Sequence, residues 1–315
     1  MKILGFGKAL ANKIVTNDDL SKLVETSDEW IFQRTGIRER RISDENTSEL
    51  AYRAAIEAIK SANIEKTEID LIICATMTAD NFIPSVACMV QEKLNLGKNV
   101  TSFDINAACS GFIYSLKVAS SMLNTYHKKA LVVGCETLSK IVDFNDRNTC
   151  VLFGDGAGAV VIESDEKITD FYTCSIGNNT DLVARGIGTN FEMKNRVLES
   201  GFLKMNGKEI FKFAINVIEE SIDNILKITN LKLEDIKLII PHQANKRIIN
   251  NVAKKLNLDG NKFFVNLEKY GNTSAASIPI ALCEAIEEKK LKKGDKVILV
   301  GFGGGLTWGS TIIEI

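Results

Sequence analysis

The amino-acid sequence predicts an α/β protein built from two related halves, and two observations carry that prediction. Apolar runs alternate with amphipathic helical runs, and short segments of the first half recur in order in the second. Leu71-Ile72-Ile73 returns as Leu238-Ile239-Ile240, and Leu131-Val132-Val133-Gly134 as Ile298-Leu299-Val300-Gly301, both 167 positions later. Lys93-Leu94-Asn95-Leu96 returns 162 positions later as Lys255-Leu256-Asn257-Leu258, and Gly158–Glu163 is echoed by Gly309–Glu314. One short match is chance; four in the same order argue for duplication. The halves are expected to divide near Glu163–Thr169, as residues 1–165 and 166–315, with a cleft between equivalent strand ends.

Met1–Gly7 reads as a first strand, without the apolar stretch of a signal peptide. Ser48–Ala62 follows as a helix: Asn46, Thr47 and Ser48 offer N-cap oxygens, and Ala51, Ala55, Ala58, Ile59 and Ala62 form one stripe. Residues 68–76 are a continuous apolar run, as a strand buried on both faces requires. A helix over Ser85–Leu94, a strand over Val100–Ile105, a helix marked by Phe112, Leu116, Ala119 and Leu123, and a strand over Ala130–Gly134 continue the alternation. Phe153–Ile162 is a Gly-rich turn feeding a strand. The second half repeats the order with helix Glu209–Leu226, strand 234–242, a helix after His242, helix Ile278–Ile286 and two closing strands. The sheets are expected to be mainly parallel and covered by helices.

The 315 residues suffice for a large core. Lys plus Arg number 39 and Asp plus Glu 40, so no overall field favours nucleic acid or an anionic membrane. No apolar run is long enough to cross a membrane. Seven scattered cysteines point to a reducing cytoplasm, and two histidines without a CxxC pair argue against a zinc site.

Cys109 lies in Asp-Ile-Asn-Ala-Ala-Cys-Ser-Gly-Phe, where a strand turns into a helix among small residues expected to leave its sulfur unshielded. A helix N-terminus favours thiolate, which suits a nucleophile; the residues alone equally allow a buried core thiol. Of the two histidines, His127 reads as solvated surface, whereas His242 emerges from the carboxyl end of a buried strand, where open α/β sheets place ligands. Asn272, in Tyr-Gly-Asn-Thr-Ser-Ala-Ala-Ser, opens a helix in the repeat of the Cys109 turn, and the two turns are expected to face each other. The glycines of 301–305 lead into a strand, so they fit half of an oxyanion hole better than a phosphate loop. Phe153–Gly158 reads as a structural turn.

Trp30–Arg41 is the densest aromatic and basic stretch, suited to stacking a base and pairing phosphates, or an ordinary charged loop. The helix after His242 carries Lys246, Arg247, Lys254 and Lys255 with no acid before Asp259, a local excess fitted to an acidic partner.

Together these stretches resemble the β-ketoacyl-acyl carrier protein synthase III family of bacterial fatty-acid synthesis, through Ala107-Ala108-Cys109-Ser110-Gly111-Phe112, His242-Gln243-Ala244-Asn245 and Gly271–Ser277. The resemblance implies the thiolase fold, a five-layered αβαβα pseudo-dimer. It implies that Cys109 takes an acyl group from acyl-CoA and that malonyl-acyl carrier protein then decarboxylates and attacks the thioester. His242 and Asn272 are implied to stabilise the enolate, with the N–H groups of Cys109 and Gly304 as a second oxyanion hole. Trp30 and Arg34 match CoA-binding positions, joined by Arg147. Arg247 matches the carrier-protein site, with Gln243, Lys212, Lys254 and Lys255 as further contacts. Ile83, before Pro84, falls at the acyl pocket across a homodimer interface, and Val183–Glu199 departs from better-known members, so primer length stays open. No cofactor or metal is implied. A secondary-metabolite condensing enzyme and a non-catalytic carrier-protein or acyl-CoA binding module are the competing readings.

Overall fold

The computed structural model describes residues 1–123, 126–165, 169–184, 186 and 201–315. The first sheet orders its strands Lys2–Leu10, Gly156–Glu163, Lys129–Glu136, Leu71–Ala75, Thr101–Ile105. The second orders Phe171–Ser175, Thr307–Glu314, Lys296–Gly303, Ile236–Pro241, and a lone bridge from Ile239 to Phe263 stands where the first sheet has its fifth strand. The two orders match strand for strand, at the positions where the sequence repeats. The chain crosses from one sheet to the other between Glu163 and Phe171, beside residues 166–168, so the expected boundary touches residues outside those described.

The sheets are mixed rather than mainly parallel. Leu71–Ala75 pairs parallel with both neighbours, but Gly156–Glu163 runs antiparallel to Lys129–Glu136 and Lys2–Leu10, and Thr307–Glu314 runs antiparallel to Lys296–Gly303. In the second sheet the cause is a short connection. Gly303–Thr307 is a hairpin too short for a helical crossover.

Strand alternation divides the core into layers. Leu71 and Ile73 of the first sheet and Val297 and Leu299 of the second face a shared central cluster with Phe112, Ile113, Leu116, Ile278 and Leu282. Those residues belong to helices Gly111–Leu123 and Ser277–Glu287, which lie between the sheets and are buried on most sides. Ile72 and Cys74 face outward onto Thr47–Ala62 and Val86–Lys93. Ile298 and Val300 face outward onto Gly207–Thr229 and Lys246–Lys255. The result is five layers, helix, sheet, helix, sheet, helix. The turns that lead into these two central helices carry Cys109 and Asn272.

Candidate active site

After strand Thr101–Ile105, the Asn106 side chain accepts the N–H of Ala108 at 3.2 Å, Ala108 turns to φ 45°, and one 3-10 turn leads into helix Gly111–Leu123. After Gly271, at φ 63°, the Asn272 side chain accepts the N–H of Ser274 at 2.8 Å, Ser274 turns to φ 49°, and a 3-10 turn leads into Ser277–Glu287. The turns are therefore equivalent residue by residue: Asn106 with Asn272, Ala108 with Ser274, Cys109 with Ala275, Gly111 with Ser277. Opposed strand ends press on each. A Cβ at Gly303 would stand 2.7 Å from the Cβ of Cys109, and one at Gly134 would stand 2.3 Å from the carbonyl oxygen of Ala275.

That packing corrects the expectation of an unshielded sulfur. Cys109 is 4% exposed, because small neighbours let the facing backbone close over it. Burial pushes its thiol up to about 12; a hydrogen bond from Ser274 acts the other way, and the charge of Glu136 adds to the rise.

His242 lies at the end of Ile236–Pro241 and its backbone N–H reaches Val300 at 2.7 Å. Burial holds its imidazole down to about 3, so it is neutral at pH 7. The Ser277 hydroxyl accepts the Gln243 N–H at 3.3 Å and lies 2.7 Å from His242 Nδ1. Donation from that hydroxyl to Nδ1 is the arrangement that leaves the imidazole proton on Nε2. Asn272 is likewise assigned: its Oδ1 takes the Ser274 N–H, leaving its amide NH₂ to donate. Its backbone is held by Leu152 and Gly154 at 2.8 and 3.0 Å. Cys109, His242 and Asn272 line one cavity whose other walls are mostly apolar, among them Met77, Phe153, Leu203, Met205, Phe211 and Phe302, with Asn245 as a further polar residue.

Gly304 follows the Gly303 contact, and the Thr307 hydroxyl fixes the Gly304 and Ala107 carbonyls at 3.0 and 3.1 Å. At the surface, the guanidinium groups of Arg34 and Arg147 flank the Trp30 ring, each 4.7 Å from its centroid. Arg247 is exposed and covers Phe211 at 5.5 Å. Lys254 is exposed; Lys212 pairs with Glu209 at 2.8 Å, and Lys255 pairs with Glu219.

Gln243 departs from its expected carrier-protein role. It is 1% exposed, and its side chain spans the carbonyls of Pro241 and Phe264 and the N–H of Asn266, an internal brace behind His242. His127 is not solvated either: its side chain is 15% exposed and its ring nitrogen stands 3.7 Å from Asp70. Ile83 does not line the cavity; it projects from the surface, 85% exposed. Most of Val183–Glu199 lies outside the described residues. No group of metal-ligating side chains occurs among the described residues, and no described helix is long and apolar enough to cross a membrane.

The sequence reading passed over Glu136 and Ser277. Glu136 ends the apolar run 130–135, and a carboxylate directly after a buried strand was the available signal. Ser277 sat inside a recognised motif, but its partner lies 35 residues away.

Two family models match, 3-oxoacyl-[acyl-carrier-protein] synthase III over residues 103–179 and its C-terminal part over 226–315. The β-ketoacyl-[acyl-carrier-protein] synthase III of Clostridium perfringens (strain SM101 / Type A) is 53% identical over 321 residues, covering 100% of this chain and 99% of the relative. This chain belongs to the β-ketoacyl-acyl carrier protein synthase III family. That of Clostridium botulinum (strain 657 / Type Ba4) is 55% identical over 320 residues, covering 99% and 98%. The crystal structure of the Aquifex aeolicus VF5 family member superposes with a TM-score of 0.91 at 48% identity, covering 100% of this chain and 99% of that one. The fold is accordingly the thiolase fold, and the chain is an acyltransferase, the condensing enzyme that initiates fatty-acid synthesis.

Proposed function

We propose that the chain condenses a short acyl-CoA, acetyl-CoA first among them, with malonyl-acyl carrier protein through an acyl-Cys109 intermediate. The observation that carries this reading is the convergence of Cys109, His242 and Asn272 on one apolar-walled cavity, with both donor side chains orientated by their neighbours. Cys109 attacks the thioester carbonyl, the N–H groups of Cys109 and Gly304 hold the oxyanion, and CoA leaves. Malonyl thioester then enters. As carbon dioxide departs, charge grows on the thioester oxygen, which His242 Nε2–H and Asn272 NH₂ receive; a neutral imidazole already carrying that proton needs no rearrangement. The carbanion attacks acyl-Cys109, giving the 3-oxoacyl product. No cofactor takes part, since both leaving groups come from the substrates.

Trp30, Arg34 and Arg147 bind the CoA nucleotide: an adenine entering the stack displaces one guanidinium from the indole face. Arg247, with Lys212, Lys254 and Lys255 as lesser contacts, receives the acidic carrier protein. A homodimer is supported by Phe82 and Ile83, 83% and 85% exposed, beside the edge strand Thr101–Ile105; a second copy covers them and brings its own Ile83 to the acyl pocket. Seven free cysteines support a cytoplasmic location. The halves 1–165 and 166–315 divide the labour, the first holding the nucleophile and the second both donors.

The test is incubation with radiolabelled acetyl-CoA and longer acyl-CoAs, trapping the adduct, then adding malonyl-acyl carrier protein. Label on Cys109 and a 3-oxoacyl product are expected. No label on Cys109 with any primer overturns the reading; product from malonyl-CoA alone turns it towards a secondary-metabolite enzyme.

A further inference from the structure

Glu284 is buried, at 6% exposure, two turns along the central helix Ser277–Glu287 from Ser277 and on the same face. A buried carboxylate is costly unless donors surround it, and this one has three. Oε2 accepts from Asn266 Nδ2 at 2.9 Å, and Oε1 accepts from Lys8 Nζ at 3.3 Å and from the Tyr270 hydroxyl. Lys8, on the strand Lys2–Leu10, supplies the compensating charge and also pairs with Glu287 at 2.6 Å.

Two of these donors lead to the active site by separate routes. The Asn266 N–H donates to Gln243 Oε1 at 3.1 Å, and the Gln243 amide donates to the carbonyls of Pro241 and Phe264 at 2.8 and 3.1 Å, so the residues flanking His242 are tied together from behind. Tyr270 stands two residues before Asn272. The Gly271 between them leaves no slack: a Cβ there would stand 2.7 Å from the Leu152 carbonyl oxygen, which accepts the Asn272 N–H at 2.8 Å. None of the bonds named here ends on the Cys109 turn. In the other central helix, Val118 follows Gly111 by the same seven residues that separate Glu284 from Ser277, and it packs against the apolar core.

We propose that Glu284 is a positioning residue for decarboxylation, setting the His242 and Asn272 donors in register through Asn266 and Tyr270; this rests on the reading of those two donors given above. Glu284 touches neither substrate nor reacting atom. It acts by geometry: one carboxylate oxygen fixes the loop behind the imidazole and the other fixes the approach to the asparagine, so both donors meet the same thioester oxygen. Apolar packing suffices to seat a helix, as at Val118, but holding two loops against one helix needs directional bonds. Joining both on a single carboxylate couples the loops, and loss of either bond moves one donor relative to the other. A displacement of about 1 Å can cost on the order of 10²-fold in rate.

The test takes parent, Glu284→Gln and Tyr270→Phe through two half-reactions: single-turnover acylation by radiolabelled acetyl-CoA, and release of labelled carbon dioxide from malonyl-acyl carrier protein by the acylated protein. Circular dichroism and denaturant unfolding report folding. Glu284→Gln keeps the shape but has one accepting oxygen in place of two. It should lower kcat for carbon dioxide release about tenfold or more, with KM for malonyl-acyl carrier protein and the acylation rate within about twofold of parent. Tyr270→Phe keeps its ring against Ala276 and Ile280 and loses only the hydroxyl, so it covers the case in which Glu284→Gln fails to fold. It should lower the same kcat about threefold or more. A role confined to stability would lower the unfolding midpoint and leave the half-reactions in the parent's proportion. Parent-like carbon dioxide release from a folded Glu284→Gln or Tyr270→Phe, or an equal loss in both half-reactions, overturns the proposal. His242→Ala and Asn272→Ala are measured alongside, and parent-like release from either overturns the underlying reading instead.

Discussion

The Cys109 turn and the Asn272 turn share one backbone: an asparagine clasping the N–H two residues on, a left-handed residue, a 3-10 turn and a central helix. Their side chains have diverged in opposite directions. Where the second turn has Ser277 bonded to His242, the first has Gly111, whose Cβ would lie 3.2 Å from Ala75, the counterpart of His242. Where Glu136 supports Ser274, its counterpart Gly303 lies against Cys109, and Ala108 replaces Ser274. Polar groups thus crowd around one turn while the other has been emptied. The emptied side lets the Gly303 backbone close on Cys109, and the crowded side holds its polar groups in fixed orientation. Duplication supplied a double frame, and the asymmetry within it lies in the side chains at the two turns.

The sharpest break of that symmetry is between the two asparagines. On the proposed reading Asn272→Ala removes a transition-state donor and should lower decarboxylation of malonyl-acyl carrier protein by about 10²–10³-fold. Asn106→Ala removes the same turn hydrogen bond at an exposed position and should cost about 1 kcal/mol of stability, leaving decarboxylation within twofold. Equal losses in both rates would show that Asn272 acts by holding its turn.

The next comparison concerns how tightly each turn is held. A Cβ at Gly134 meets a backbone oxygen at 2.3 Å, whereas one at Gly301 meets the Ser110 Cα at 3.0 Å. Gly134→Ala should therefore destabilise by about 3 kcal/mol and Gly301→Ala by about 1, measured by denaturant unfolding. The reverse order would mean that the Asn272 turn yields more easily than the Cys109 turn.

The layers and the repeat were legible because burial on both faces demands continuous apolar runs in local sequence, as Leu71–Ala75 and Lys296–Gly303 illustrate. Strand direction was less legible: it depends on connection geometry, which apolar runs do not record. Cys109, His242 and Asn272 stand in motifs, but Glu136 and Ser277 act across 138 and 35 residues of sequence, where no local pattern joins donor to acceptor. Gln243 misled for the converse reason, since a polar residue in a recognised motif reads as a contact until its partners prove internal.

Ser277 probes the divergence on a smaller scale. Ser277→Ala removes the hydroxyl that fixes the His242 tautomer and should slow decarboxylation about tenfold, with acylation spared. Nitrogen NMR should show the proton on Nε2 in the parent and a tautomer mixture in the variant. An unchanged spectrum would transfer that role to another neighbour.

The smallest effect separates the two buried titratable groups by sign. Folding lowers His242 from 6.5 to about 3, so its contribution to stability is present above pH 6.5 and is lost as pH falls towards 3. Folding raises Glu136 from 4.5 to about 7, so its contribution is present below pH 4.5 and is lost as pH rises through 7. Between pH 4.5 and 6.5, unfolding takes up one proton at His242 and releases one at Glu136, and the two slopes cancel. Removing either exposes the other. Against the parent, Glu136→Gln should lose about 1 kcal/mol for each pH unit of acidification in this window, and His242→Gln should gain about as much. Denaturant unfolding at pH 4.5, 5.5 and 6.5 measures both, and taking each variant against the parent removes the contribution of other carboxylates. Opposite slopes would establish that the protein holds one buried group neutral by withholding a proton and the other by supplying one. Parallel slopes would mean that water reaches at least one of these groups and that burial does not set its charge.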